Sequence, residues 1–162
     1  MAALSIVVRP KQGHQPHQAV VILPLETGPE LGWTGACAGS VARETIEAFC
    51  DADTQRMRSV LAPGLRAFIT NRDGGVDQAD AEEYLRRVAA MDLRNAQLRL
   101  TITQMVTPRP DMVLAMVEVS AARGGKRLDN HAAHCVFVRG GLVAVWWMVE
   151  ALPAESDAFW SS

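Results

Sequence analysis

The run His131-Ala-Ala-His134-Cys-Val-Phe-Val-Arg-Gly-Gly-Leu-Val-Ala-Val-Trp146-Trp147 constrains this chain most. It reads as strand, tight turn, strand, with Gly140-Gly141 supplying the reversal. Side chains on a strand alternate between faces, so adjacent tryptophans must point opposite ways and both faces of the last strand need cover. A lone hairpin offers no such cover. At 49% hydrophobic residues, 162 residues suffice for one domain with a real core.

The strands before that hairpin are also legible. Residues 97–107 alternate, with Leu98, Leu100 and Ile102 on one face and Arg99, Thr101 and Thr103 on the other. Residues 108–111 turn. Residues 112–121 are apolar on both faces, which suits a central strand. Gly124-Gly125 turns again into residues 126–138, and residues 142–151 close the set. Upstream, Ser40 is positioned to cap a helix with Val41, Ala42, Thr45, Ile46 and Phe49 at helical spacing. Asp53 caps a second, short helix with Met57, Val60 and Leu61 inward, stopped by Pro63-Gly64. Residues 65–71 read as a strand and residues 72–75 as a turn. A third helix spans about residues 77–91, with Tyr84, Leu85, Val88 and Met91 as its inward stripe. The order is helix, helix, strand, helix, then a four-stranded antiparallel meander. That is α+β, and helices kept to one side of a bent sheet enclose a cavity. Phe159-Trp160 in the tail packs back on the body.

Residues 1–38 differ in composition: Pro10, Pro16, Pro24, Pro29, two histidines and several glycines. Two apolar segments there, residues 5–9 and 19–25, are long enough to pair as strands. The composition favours a poorly ordered extension, or one read from an upstream start codon, before a domain at 39–162.

A formal net charge of −2 and scattered basic residues give no footprint for nucleic acid or an anionic membrane. No apolar run is long enough to span a bilayer, and the start lacks the pattern of a secretory signal. Three widely spaced cysteines, Cys37, Cys50 and Cys135, fit a reducing, cytoplasmic setting; Cys50 and Cys135 read as small buried residues. No cofactor motif appears: there is no glycine-rich phosphate loop, nucleophile elbow or cysteine–histidine signature. No metal site is expected, since His14 and His17 lack further ligands and His131 and His134 face opposite ways.

Three stretches carry a family resemblance: Glu47-Ala-Phe-Cys-Asp-Ala-Asp53, Val60-Leu-Ala-Pro63, and the hairpin from His134 to Trp146. Across residues 40–151 the chain resembles the SnoaL-like branch of the NTF2-like, or ketosteroid isomerase-like, superfamily. The resemblance implies an NTF2-like cone: three N-terminal helices on a strongly bent, mostly antiparallel sheet. Its members include isomerases, polyketide cyclases, dehydratases, epoxide hydrolases and non-catalytic modules, so the fold leaves activity open.

The site residues follow from the resemblance. Steroid isomerase members use a carboxylate base, a tyrosine and a protonated aspartic acid. Counting from Asp53, the base position falls on Ile69, which cannot take a proton, and the tyrosine position on Thr45. The acid position falls on His134, the one candidate catalytic residue. A pocket-facing donor and a satisfied core histidine are evenly matched readings of it. Ligand contacts are expected from Thr45, Ile69, Tyr84, Asn130 and Trp147. Asn130 shares the face of His134, although a strand-end cap is the simpler role, and core packing is the simpler role for Tyr84. Counting back through the hairpin puts Trp147 on the pocket wall with Val143, Val145 and Val149. Trp146 then faces outward, in or near a sheet-to-sheet homodimer interface. Glu150, on the face of Trp146, reads as interface or solvent, Asp129 reads as solvated, and Glu118 has no assigned role.

Two functions are therefore expected. The first is binding of a small apolar, oxygenated ligand in the cone, with proton transfer, cyclisation or hydration at His134. The second is a non-catalytic dimerisation or accessory module whose cavity is filled. An open, ligand-sized hollow would favour the first; a closed cone would favour the second.

Overall fold

The computed structural model describes residues 37–161 and the backbones of Ser5–Val7 and Val20–Ile22. Those two short segments, β1 and β2, pair antiparallel. The expectation of a poorly ordered extension otherwise lies outside the described residues, as do His14 and His17.

α1 (Ala38–Cys50) is capped three residues before Ser40, because Cys37 takes the N-cap position. The Ser40 hydroxyl instead donates to the Cys37 carbonyl at 2.8 Å, one turn back. Asp53 does cap α2 (Thr54–Val60), accepting from the Arg56 amide at 2.9 Å. Arg56 also holds α1 to α2 through Glu44, Glu47 and Asp51. α2 gives way directly to β3 (Leu61–Thr70), which runs through Pro63-Gly64 rather than starting after them.

After the Asn71–Gly75 turn comes β4 (Val76–Ala79). The sequence expectation placed the start of a helix there. Only Ala79 of β4 is buried, so it carries no apolar alternation to mark a strand. Asp80 caps α3 (Ala81–Ala90) by accepting from the Glu83 amide, and Tyr84, Leu85 and Val88 are its buried stripe.

The meander follows as β5 (Arg99–Arg109), β6 (Met112–Arg123), β7 (Lys126–Arg139) and β8 (Leu142–Glu150). The six strands order as β4-β3-β8-β7-β6-β5. Every pairing is antiparallel except β3 with β8. α4 (Pro153–Trp160) closes the chain; buried Phe159 packs with Ala96, Ala121 and Leu128. The main core lies between the inner sheet face and α1 to α3, and includes Ala42, Ile46, Met57, Leu65, Tyr84, Val117, Val136 and Trp146. The fold is thus α+β, three helices on a mixed, mostly antiparallel sheet, with a fourth helix at the end.

One irregularity decides the inner face. In the last hairpin Val138 pairs with Val143, but Phe137 pairs with Val145, so β8 carries one extra residue. A bulge of this kind shifts the alternation by one position. The uncorrected count would set Trp147 opposite His134. With the bulge, Met148 is opposite His134, and Trp146 is opposite Val136. The expectation for the two tryptophans is therefore reversed: Trp146 points inward at 1% exposure, and Trp147 lies on the outer face.

Candidate functional site

His134 stands on β7 between Ala115 of β6 and Met148 of β8. The small alanine leaves room beside the imidazole. Trp146, diagonal to it across the β7–β8 pair, donates its indole Nε1–H to His134 Nδ1 at 2.9 Å. Diagonal neighbours on one sheet face are within reach for long side chains. The hydrogen bond makes Nδ1 an acceptor, so the neutral ring carries its proton on Nε2. Burial pushes the His134 pKa down to about 4, which keeps the ring uncharged near neutrality. Tyr84 of α3 leans on the same indole, with ring centroids 5.3 Å apart and planes tilted by 57°. Burial raises the Tyr84 phenol above its ordinary value, so it too stays protonated.

The hollow at this cluster has a volume of about 30 Å³. Ile46 and Phe49 of α1, Tyr84, Leu100 of β5, His134, Trp146 and Met148 line it. One water needs about that much space, and drug-sized ligands need roughly 300–1,000 Å³. The cone is closed because the indole of Trp146 occupies it.

The other expected site residues are dispersed. Thr45 is fully buried, and its hydroxyl donates to the Val41 carbonyl at 2.7 Å. Ile69 is half-buried, packs against the core, and is not among the residues lining the hollow. Asn130 is buried and clips the first half of β7 to the start of α4. Its Oδ1 accepts from the Leu152 and His131 amides, and its Nδ2 donates to the Leu152 carbonyl. Trp147 stacks on Phe68 of β3 on the outer face, centroids 4.1 Å apart and planes within 11°.

Glu150 follows Trp146 onto the inner face, where it is half-buried. Its Oε1 accepts from the Ser156 hydroxyl of α4 at 3.0 Å. Burial raises its carboxyl pKa to about 7. Glu118 and His131 are partners across β6 and β7 on the outer face, and both are exposed. Among the described residues no three His, Cys, Asp or Glu side chains gather as a metal site. No described helix is long and apolar enough to cross a membrane.

The sequence expectation missed Trp146 and Met148 as lining residues, because only the bulge brings them inward. Ile46, Phe49 and Leu100 carried a signal, the inward stripe of α1 and the alternation of β5, but it read as core.

A second, larger concavity of about 620 Å³ lies between α1 and β5 and shares Ile46 and Leu100 with the smaller hollow. Arg43, Glu47 and Cys50 border it from α1, and Arg99, Leu100, Thr101 and Ile102 from β5.

No family model matches the chain. It is 27% identical over 127 residues to the uncharacterized protein Rv0034 of Mycobacterium tuberculosis strain H37Rv, covering 75% of this chain and 94% of that protein. The same figures hold for Mb0035 of Mycobacterium bovis. Among solved structures, Bal32a from a soil-derived mobile gene cassette matches with a TM-score of 0.64 at 16% identity, covering 76% of this chain and 95% of its own. An LEH-like epoxide hydrolase from M. tuberculosis gives 0.61 at 12%, covering 75% and 88%. A SnoaL-like protein from Jannaschia sp. CCS1 gives 0.58 at 15%, covering 81% and 99%. The chain has the NTF2-like fold.

Proposed function

We propose that this protein is a non-catalytic, accessory NTF2-like module that acts by assembly rather than turnover. The observation that carries the reading is the filled cone: the buried indole of Trp146, hydrogen-bonded to His134, leaves a hollow of about 30 Å³. The groups that remain there do little chemistry. Ile69 has no proton to exchange, the Thr45 hydroxyl is held by its own helix, and His134 is neutral with one nitrogen occupied.

The assembly surface is the outer sheet face. Phe68, Trp147, Phe137, Leu114 and Met116 are only half-buried there, and Val106 is 44% exposed. A contiguous apolar face of this kind is a place for association. Its occupant is a second copy of the chain, giving a homodimer sheet to sheet, with Trp147 rather than Trp146 in the interface. Light scattering on the purified chain should report a dimer, and Trp147→Glu should give a folded monomer. A wild-type chain that stays monomeric at tens of micromolar overturns the dimer. A small molecule found bound in the cone by native mass spectrometry overturns the filled-cone reading.

One observation favours a second reading, binding of a small oxygenated ligand in the cone. His134 and Tyr84 both line the hollow, and neither His134 Nε2 nor the Tyr84 hydroxyl has a hydrogen-bond partner among the described residues. Two neutral donors from the walls of one hollow suit a carbonyl oxygen, once Trp146 is displaced. Trp146→Ala, titrated with small aryl ketones, separates the readings: tight binding that His134→Phe abolishes supports the second.

A further inference from the structure

The concavity between α1 and β5 has a geometry that the cone does not explain. Four consecutive residues of β5, Arg99 to Ile102, all line it. Successive strand side chains point to opposite faces. One concavity touches all four only if it runs along the edge of the strand. β5 is an edge: it pairs with β6 alone, and no other strand of the described residues pairs with its other side. The N–H and C=O groups that point away from β6 therefore open into the groove. The opposite wall is a helix face, Arg43, Ile46, Glu47 and Cys50, at i, i+3, i+4 and i+7. An unpaired strand edge facing a helix is the arrangement that accepts an added peptide strand.

The other end of the sheet has no such groove. β4 is also an edge, but it is four residues long. β5 has eleven residues and stays regular from Arg99 to Ile102, with its first irregularity between Ile102 and Gln104. The stretch that lines the groove is the stretch fit for pairing.

Charge selects the occupant. The acidic lining residues Glu47 and Asp51 are both paired with Arg56, at 3.6 and 2.8 Å. Arg43 and Arg99 have no carboxylate within ion-pair distance among the described residues. They sit toward opposite ends, because α1 runs against β5: Cys50 Sγ lies 3.6 Å from the Leu98 carbonyl, and Gly39 is beside Thr107. Seven helical residues separate Arg43 from Cys50, a rise of about 10 Å. Ile46, Leu100 and Ile102 form the apolar floor between them.

We propose that this groove binds an extended peptide from a partner protein, added as a strand to β5. Apolar side chains would lie against Ile46, Leu100 and Ile102, with an acidic residue toward Arg43 and another toward Arg99.

The test uses the full chain and a short fluorescent peptide of alternating valine and threonine with aspartate near each end. Fluorescence anisotropy should show saturable binding, and the same peptide ended by lysines should bind at least about tenfold more weakly, the effect of losing one charge-assisted contact. Arg43→Glu with Arg99→Glu should reverse that preference. Both side chains are exposed, so circular dichroism should show an unchanged fold. Methylating alternate backbone nitrogens of the peptide should abolish binding, a readout that simple charge attraction would not move. Undiminished binding of the methylated peptide, or a preference that the double variant does not reverse, overturns the proposal. So does failure of both peptides to bind, which is the outcome if a second copy or residues 1–36 of the same chain fill the groove.

Discussion

Trp146 and Trp147 are adjacent in sequence and occupy opposite environments. The first is wrapped by α1, α3 and the inner sheet face, and its one polar atom is hydrogen-bonded. The second lies flat on Phe68 with part of its ring in solvent. One residue of register decides which tryptophan is which. The inner face is a completed core, with shape and polarity both matched, whereas the outer face is stacked but uncovered. Stability resides on the inner face, and the sheet-to-sheet dimer proposed above would use the outer one.

The largest expected effect breaks the inner side of this comparison. Trp146→Ala should cost about 3–5 kcal/mol, the range for removing a large aromatic from a packed core. Urea unfolding checks it, and a loss under 1 kcal/mol would mean that the cone is not built around this ring. Indole added to the variant should recover part of the loss by refilling the space.

Acid titration sharpens the comparison next, because two inner-face groups act in opposite directions. His134 has its folded pKa lowered from 6.5 to about 4. Between those values the unfolded chain binds a proton that the folded chain refuses, so this contribution is complete above 6.5 and is lost as pH falls toward 4. Glu150 has its folded pKa raised from 4.5 to about 7. Its contribution is complete below 4.5 and is lost as pH rises toward 7. Each changes stability by up to about 1.4 kcal/mol per pH unit within its window. The two oppose each other between about 4.5 and 6.5, and their slopes cancel there. Glu150→Gln should uncover a stability that rises with pH across that range, and His134→Phe one that falls. Denaturant midpoints at a series of pH values give both signs, and identical profiles for the two variants would refute the assignment.

Loss of the hydrogen bond comes third. His134→Phe leaves the Trp146 N–H buried without an acceptor, at a cost of about 1–3 kcal/mol at neutral pH. The smallest effect belongs to the outer face. Trp147→Ala should cost about 0.5–1.5 kcal/mol within one chain, the scale of an aromatic stack, while lowering the apparent mass in solution if the dimer forms there.

The comparison also shows what a sequence can and cannot convey. The β5–β8 meander was legible because alternating apolar residues and paired glycines mark each strand and turn. α3 was legible from Tyr84, Leu85 and Val88 at helical spacing. β4 was not, since Val76-Asp-Gln-Ala79 has one buried side chain and no pattern. The inner face of β8 was not, because a bulge between Val143 and Val145 obeys local backbone fit and leaves no mark in an all-apolar strand. His134 lies on the inner face, yet its chemistry depends on which tryptophan meets it. That partner was hidden behind the same one-residue slip.

The parallel seam between β3 and β8 has a consequence for biosynthesis. Thr70 and Met148, hydrogen-bonded across it, are 78 residues apart in sequence. Closing so long a loop is entropically slow, and pairings of this separation form late. A ribosome therefore releases the β3–β4 hairpin well before its neighbour has been translated. Until β8 emerges, β3 and β7 each present a bare margin to solvent or to a chaperone. The half-made chain, more than the finished protein, is the species prone to aggregate.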